Sequence, residues 1–331
     1  MMANYRRFSL VTSVRVILAL LVILLYYMLI QNVYRAGKGV DDKLETTTQD
    51  LESVPKETIK LSLGSSGLRF MNAIVTDYRE GYKLKLKELL SRKADPCDPH
   101  LVSLVRQLMD PPSGHIVKPV KTIVQTPQSV EILKCLKERR EGFFVEVGAL
   151  DGERSSNTLY LEQHLGWTGL LIEADPYFYT QLMGKSRRSW SINACISVYQ
   201  HPTIIEFQEA SGGNGQLLLN NGKTKNTKKR TVSRQVPCFS LETMLLALNQ
   251  THVDYFSLDV EGFELDVLKT IPFDKIDIAT LSVEYVHGKH DKEAHKSFML
   301  EKGYRVHKDI HLHKPDIALF VDDFIFVKSD L

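Results

Sequence analysis

Residues 142–152 read GFFVEVGALDG: a continuous apolar run with one carboxylate near its end, passing directly into a turn that carries two glycines. Such a run is the pattern of a central parallel strand buried on both faces. After the turn, Ser155 or Ser156 is placed to cap a helix over NTLYLEQHLG, with Leu159, Leu161 and Leu165 as its apolar positions and Gly166 as its stop. The unit is strand, glycine turn, helix, and glycine lets a ligand pass close over the backbone because it has no Cβ. The next strand, TGLLIEADP, ends in Glu173, which lies 21 residues after Gly152 and is therefore positioned to accept from the ribose hydroxyls of a nucleoside. Further on, VDYFSLDV (253–260) leads into Asp259-Val260-Glu261-Gly262-Phe263-Glu264 and the helix ELDVLKTI, and IDIATLSVEY supplies a strand ending in Glu284. These carboxylates all fall at the carboxyl ends of strands, the side on which open α/β sheets bind ligands. The dinucleotide pattern G-x-G-x-x-G is absent, since positions 150 and 151 are Leu and Asp, so a pyrophosphate-bearing cofactor is disfavoured.

Outside this region the chain has other tasks. Its 331 residues are 43% hydrophobic and 25% charged, enough for one large core with an appendage, and no internal repeat is visible. The net charge of +2 gives no reason to expect nucleic acid as a partner. Val16 to Val33 read VILALLVILLYYMLIQNV, uncharged from Val16 to Ile30, long enough to span a bilayer and without a small-x-small cleavage site. The segment reads as an uncleaved signal anchor rather than a cleaved signal peptide. Arg6, Arg7 and Arg15 before it and Arg35, Lys38 and Lys43 after it nearly balance, and the short tail favours N-in, C-out. The resulting plan is a cytosolic tail over 1–15, a transmembrane anchor over 16–33, a flexible stalk over 34–60, a helical extension over 61–140 and the main domain over 141–331. The extension is expected to pack on one face of the core, and its last helix, PQSVEILKCLKERR, to stop at Gly142.

A domain on the lumenal side would lie where disulfides persist. Cys195 and Cys238, both in apolar strand-like runs, are then candidate neighbours, leaving Cys97 with Cys135; four buried free thiols are the alternative. Asn249-Gln250-Thr251 is a glycosylation triplet that matters only on that side.

The ordered motifs VEVGALDG from Val145, IEADP from Ile172, INACIS from Ile192 and DYFSLDVEGFELDVL from Asp254 resemble the FkbM family of methyltransferases, over nearly the whole of the main domain. FFVEVGALDGE, SNTLYLE, GWTGLLIEADP and SLDVEGFE, coupled to an N-terminal anchor, resemble most its animal, Star-like branch. The resemblance implies a Rossmann-like class I fold: a seven-stranded, mostly parallel sheet with a C-terminal antiparallel hairpin. It implies S-adenosylmethionine as cofactor, with Glu146, Gly148, Ala149 and Gly152 holding its methionine and ribose parts, Glu173 the ribose, and Asn193 and Ser197 near the adenine. Asp259, Glu261 and Glu264 match the family's D-x-E-G-x-E beside the transferred methyl group, where a carboxylate orients or deprotonates a hydroxyl. Many family members carry lysine two residues before that aspartate; this chain has Ser257, and Glu284 and His287 are the candidate stand-ins.

Two functions follow. One is O-methyl transfer to a hydroxyl. The other, implied by the Star-like branch, is a catalytically silent factor moving epidermal growth factor receptor ligands from endoplasmic reticulum to Golgi and endosome, as a type II membrane protein with a transmembrane growth-factor precursor as cargo. No zinc motif is formed by His287, His290, His295, His311 and His313, although carboxylates can hold Mg²⁺ weakly. The glycine-rich, then basic, stretch from Ser211 to Arg234 reads as a solvated loop, and its Lys223, Lys225, Lys228, Lys229 and Arg230 would favour an acidic ligand if it covers the binding edge.

Overall fold

The apolar run at Phe143 forms strand β1 (Phe143–Val147), as its composition requires. The structure, a computed structural model, describes residues 81–113, 126–185, 187–208, 216–218, 233–286, 291–314 and 319–331. After β1 come β2 (Thr168–Glu173), β3 (Trp190–Asn193), β4 (Cys195–Ile196), β5 (Thr203–Gln208), β6 (Gln216–Leu218), β7 (Ser233–Phe239), β8 (His252–Leu258), β9 (Asp277–Glu284), β10 (Tyr304–Lys314) and β11 (Leu319–Lys328). The helices are α1, described over 81–91, then α2 (Pro99–Leu108), α3 (Pro127–Cys135), α4 (Leu159–Leu165), α5 (Pro176–Met183), α6 (Leu241–Ala247), α7 (Glu264–Leu268) and α8 (Lys292–Glu301).

The main sheet has the order β10-β11-β9-β8-β1-β2-β3. Its first five strands in sequence, β1, β2, β3, β8 and β9, run parallel, and β11 pairs antiparallel with both β9 and β10. The expected mostly parallel sheet with a C-terminal antiparallel hairpin is therefore present. The period-2 alternation of its strands sends Val145, Val147, Leu170, Ile172, Phe256 and Leu258 into one core, and Phe144, Leu171 and Tyr255 into another on the opposite face. Both faces are covered, which is why these strands read as unbroken apolar runs. The strand order reverses between β1 and β8, and the crevice at their carboxyl ends is where such sheets take ligands.

Helix ends follow from local chemistry. Asp98, Thr126, Asp175, Ser240 and Asp291 each accept a first-turn N–H with their side chains. Ser156 does the same for α4, accepting from the Leu159 N–H at 3.2 Å, and Gly166 closes that helix at φ +73°.

Four expectations need correction. The helix before β1 stops at Cys135, because Lys137, Glu138 and Glu141 take φ of +50°, +55° and +57° and turn the chain back; Trp167 fixes the turn by donating Nε1–H to the Arg139 carbonyl at 2.8 Å. The described extension packs on both faces, with α1 and α2 in the first core and α3 in the second. The run INACIS is two strands: at Ala194 the chain leaves the main sheet, and β4 joins a second sheet of order β4-β7-β5-β6. There Cys195 pairs with Cys238 in register and as a disulfide, whereas Cys97 and Cys135 are free thiols. Their separation is topological. Cys97 donates Sγ–H to Glu242 of α6 on the first face, and Cys135 belongs to α3 on the second.

The cytosolic tail, the span at 16–33, the stalk and residues 61–80 lie outside the described residues, as do Lys223 to Arg230 and His287. Among the described residues no helix is long and apolar enough to cross a membrane.

Candidate functional site

A cleft enclosing about 650 Å³, part of it open solvent, lies at the strand-order reversal. Gly148, Leu150, Glu173, Ala194, Asp259 and Glu261 are among the residues lining it, with Ile172 and Ile196 giving apolar wall. Gly148 has φ +82°, and a Cβ there would run into the carbonyl oxygen of Asp259, so the turn after β1 and the turn after β8 touch backbone to backbone. Glycine is the residue that permits both the left-handed φ and the approach.

Glu173 is 5% exposed and its two oxygens are held apart by backbone donors: Oε2 accepts from the Leu150 N–H and Oε1 from the Asp175 N–H, each at 2.7 Å. Burial pushes its carboxyl up to about 7 against those two bonds. With the Ala174 N–H also directed at this carboxylate, one acceptor position is left for a ligand hydroxyl.

Glu146, Ala149, Gly152 and Asn193 do not line the cleft. Glu146 shares the sheet face of Phe144, and there accepts from Ser156 Oγ at 2.9 Å, the Asn157 N–H at 2.6 Å and Thr158 Oγ1 at 2.5 Å. Burial raises its pKa, opposed by nearby Arg187 and these donors. Arg187, also buried, pairs with Glu162 at 3.1 Å, reaches Thr158 Oγ1 at 3.0 Å and donates to the Gly152 carbonyl. Glu146 and Arg187 thus fix the loop behind the glycine turn. Asn193 braces the end of β2, donating Nδ2–H to the Glu173 carbonyl at 2.8 Å, and Ser197 donates to the His201 carbonyl at 3.1 Å. Ser257 is 2% exposed on the Glu146 side, where its Oγ accepts from Asn157 Nδ2 at 2.9 Å and from Ser282.

Beside the cleft the structure gathers carboxylates. One carboxylate oxygen each from Asp259, Glu264 and Glu284 lie within 4.8 Å of one another. Asp259 opens toward the cleft on one side and is surrounded by protein on the others; burial, then Glu261, Asp323 and Glu264, push it up to about 8. Glu284 rises to about 10 through burial and then Asp259 and Glu264. Asp323, on β11 opposite Glu284, is raised to about 7 by burial, against a hydrogen bond from Gln128. Glu264 is 1% exposed, and its Oε1 accepts from the Val260 and Gly262 N–H groups at 2.9 and 3.0 Å.

Sequence reading missed Asp323, Arg187 and Glu162, because a carboxylate on the far hairpin or a buried ion pair leaves no local pattern. It also missed a second group, in which His311 and His313 on β10 both bond Asp322 of β11. Histidines two apart on a strand share a face, and that alternation was the available signal.

Residues 146–306 match the sequence family described as "Methyltransferase FkbM domain". The chain carries an FkbM methyltransferase domain. Among solved structures, it is similar to the FkbM methyltransferase of Methylobacillus flagellatus KT at 14% identity and TM-score 0.39, covering 62% of this chain and 48% of that one. It thus spans about half the length of that protein. It is also similar to a precorrin-6y C5,15-methyltransferase of Geobacter metallireducens GS-15, at 8% identity and TM-score 0.33 over 63% and 91% of the two chains. A third similar structure is a SAM-dependent methyltransferase of Aquifex aeolicus, at 12% identity and TM-score 0.25 over 61% and 91%. No curated protein matches the chain. The FkbM domain has the Rossmann-like methyltransferase fold: the mostly parallel seven-stranded sheet and its antiparallel hairpin.

Proposed function

We propose that the FkbM domain transfers a methyl group from S-adenosylmethionine to a hydroxyl oxygen. The observation that carries this is the cleft at the strand-order reversal, which brings Glu173 from β2 together with Asp259 and Glu261 from the turn after β8. The residues fit the cofactor: an acidic cleft suits a cationic sulfonium, Glu173 has an acceptor position for a ribose hydroxyl, Ile172 and Ile196 offer apolar wall to a purine, and Gly148 clears backbone along the edge. When bound, S-adenosylmethionine supplies an electrophilic methyl group on sulfur. The chain's own part is to align a hydroxyl with that methyl, and alignment carries much of the rate in such transfers. Of the two neighbouring carboxyls Asp259, raised to about 8 against about 10 for Glu284, ionises first, and in its ionised form it receives the hydroxyl proton. Calorimetry of the full chain in detergent tests the reading. We expect S-adenosylmethionine binding that weakens about tenfold or more in Glu173→Ala through loss of a charged hydrogen bond; absence of binding heat overturns it.

A second reading is favoured by Ser257 and the disulfide. Ser257 is buried away from the cleft and hydrogen-bonded on the opposite face, so it does not replace the lysine that the family resemblance places there. The Cys195–Cys238 bond suits an oxidising compartment. In this reading the protein is a single-pass type II membrane protein of endoplasmic reticulum, Golgi and endosome membranes, related to the Star-like branch. Its lumenal FkbM domain would bind a transmembrane growth-factor precursor of the epidermal growth factor receptor ligands, with Lys223 to Arg230 offered to an acidic surface. Asn249 is exposed at the end of α6 and available for a glycan. A mobility shift on glycosidase treatment, absent in Asn249→Gln, tests lumenal placement; normal cargo export in cells lacking the protein sinks the trafficking role.

A further inference from the structure

The carboxylates beside the cleft come from three different elements. Asp259 follows β8, Glu264 opens α7 and Glu284 ends β9, yet one oxygen from each lies within 4.8 Å of the others. Glu261 and Asp323 add to the same negative field, since both act on Asp259 and Glu284. Glu264 provides an independent observation. Its Oε1 is occupied by two backbone N–H groups, but Oε2 is buried and has no hydrogen-bond partner. A buried carboxylate oxygen without a donor is costly, and a chain that places it among other carboxylates is short of positive charge at that point.

We propose that Asp259, Glu264 and Glu284 form a binding site for a hard divalent cation of the Mg²⁺ or Mn²⁺ kind, at the edge of the cofactor cleft. The donor set is all oxygen, which selects such ions over zinc or copper. Six-coordinate Mg²⁺ with oxygens at about 2.0–2.1 Å places its ligands about 3–4 Å apart, so a small inward movement of the three side chains completes the protein's half of the shell. The other half stays open to water or to ligand oxygens. Asp259 both lines the cleft and belongs to the trio, so the ion would stand where an acceptor molecule meets the cofactor. Its use there rests on the methyl-transfer reading: the cation, held by one oxygen of Asp259, would hold the acceptor hydroxyl and ease loss of its proton to the other oxygen of that carboxylate. The acceptor class that fits best carries a second oxygen beside the reacting hydroxyl, as in a vicinal diol or hydroxy acid, able to chelate the open positions.

The test is a titration of the full chain in detergent with MnCl2, reading free Mn²⁺ by electron paramagnetic resonance and competing with MgCl2. One Mn²⁺ per chain displaced by Mg²⁺ is expected. Glu264→Gln and Glu284→Gln should each weaken it about tenfold or more, the scale of losses at metal sites. Glu264→Gln keeps an oxygen for the Val260 and Gly262 N–H groups, and circular dichroism checks that each variant folds. If neither does, the melting temperature of the unaltered chain must still rise with MgCl2, as binding to the native state requires. Mn²⁺ binding equal in the unaltered chain and folded variants, or no Mn²⁺ bound and no such rise, overturns the proposal. A parallel titration with S-adenosylmethionine separates the two readings. Mn²⁺ bound without S-adenosylmethionine sinks methyl transfer and leaves the cation site standing; the reverse sinks the cation site alone.

Discussion

Removing the Cys195–Cys238 bond should cost about 4 kcal/mol. The two cysteines are 43 residues apart, and closing a loop of that length lowers the entropy of the unfolded chain by about that amount at 25 °C. Both side chains are buried, at 4% and 0% exposed, and pack with Ile205, Val236 and Phe263, so the pair Cys195→Ala/Cys238→Ala also gives up some sulfur contacts. Urea unfolding of the full chain in detergent, with and without reductant, and of the double variant, measures the loss. Because Cys195 lines the cleft, S-adenosylmethionine affinity should fall in parallel. Thiol titration gives an independent check. Two thiols should react after unfolding without reductant, and in the native protein exposed Cys97 should react well before Cys135, whose half-buried thiol is pushed up to about 11 by burial. A loss below about 1 kcal/mol, far short of the loop-closure value, or four reactive thiols, would refute the reasoning.

Gly148→Ala should destabilise by about 2–5 kcal/mol, combining a left-handed backbone cost with overpacking against the Asp259 carbonyl, and should abolish cofactor binding; unfolding within about 1 kcal/mol of the parent would count against that contact. Glu173, raised to about 7 when folded, binds its proton more tightly folded than unfolded, so stability falls as pH rises from about 4.5 to 7. The stability of the parent relative to Glu173→Gln should drop by about 3 kcal/mol across that window, and a flat difference would exclude the shift. Tyr255→Phe removes the 2.7 Å hydrogen bond to Ser282 in the second core and should cost about 1 kcal/mol by urea unfolding. Asp259→Asn should leave the fold intact and lower methyl transfer about 100-fold or more, measured with radiolabelled cofactor, because a proton acceptor is lost.

How much of this was legible varied with the range of the interaction. FFVEV, TGLLIE and HVDYFSL announce buried parallel strands because both faces of each are covered, and a carboxylate stands at the carboxyl end of two of them, Glu173 closing β2 and Asp259 following β8. Local signals also narrowed the capping side chain to Ser155 or Ser156, of which Ser156 takes the Leu159 N–H, and found Gly166 as a stop. The hop at Ala194 was invisible, since the same apolar letters serve β3 and β4 and only the partner strand differs. The end of α3 was missed for a similar reason: Leu-Lys-Glu-Arg-Arg favours helix, and the need to enter β1 beneath Trp167 overrides it. Glu146 and Asn193 do not line the cleft, because which way each side chain turns is set by strand alternation and by distant partners, Arg187 in the case of Glu146. Asp323 joins the carboxylates through strand pairing with Glu284 alone.

The contact between Gly148 and the Asp259 carbonyl has a consequence for redesign. Two turns more than a hundred residues apart in sequence occupy one mould, and neither shape is defined without the other. A graft of a foreign glycine turn onto this scaffold would therefore carry a mismatched counterpart unless the D-V-E-G-F-E turn travelled with it. The smallest exchangeable part of this protein's cofactor edge is discontinuous, a pair of turns handed on together.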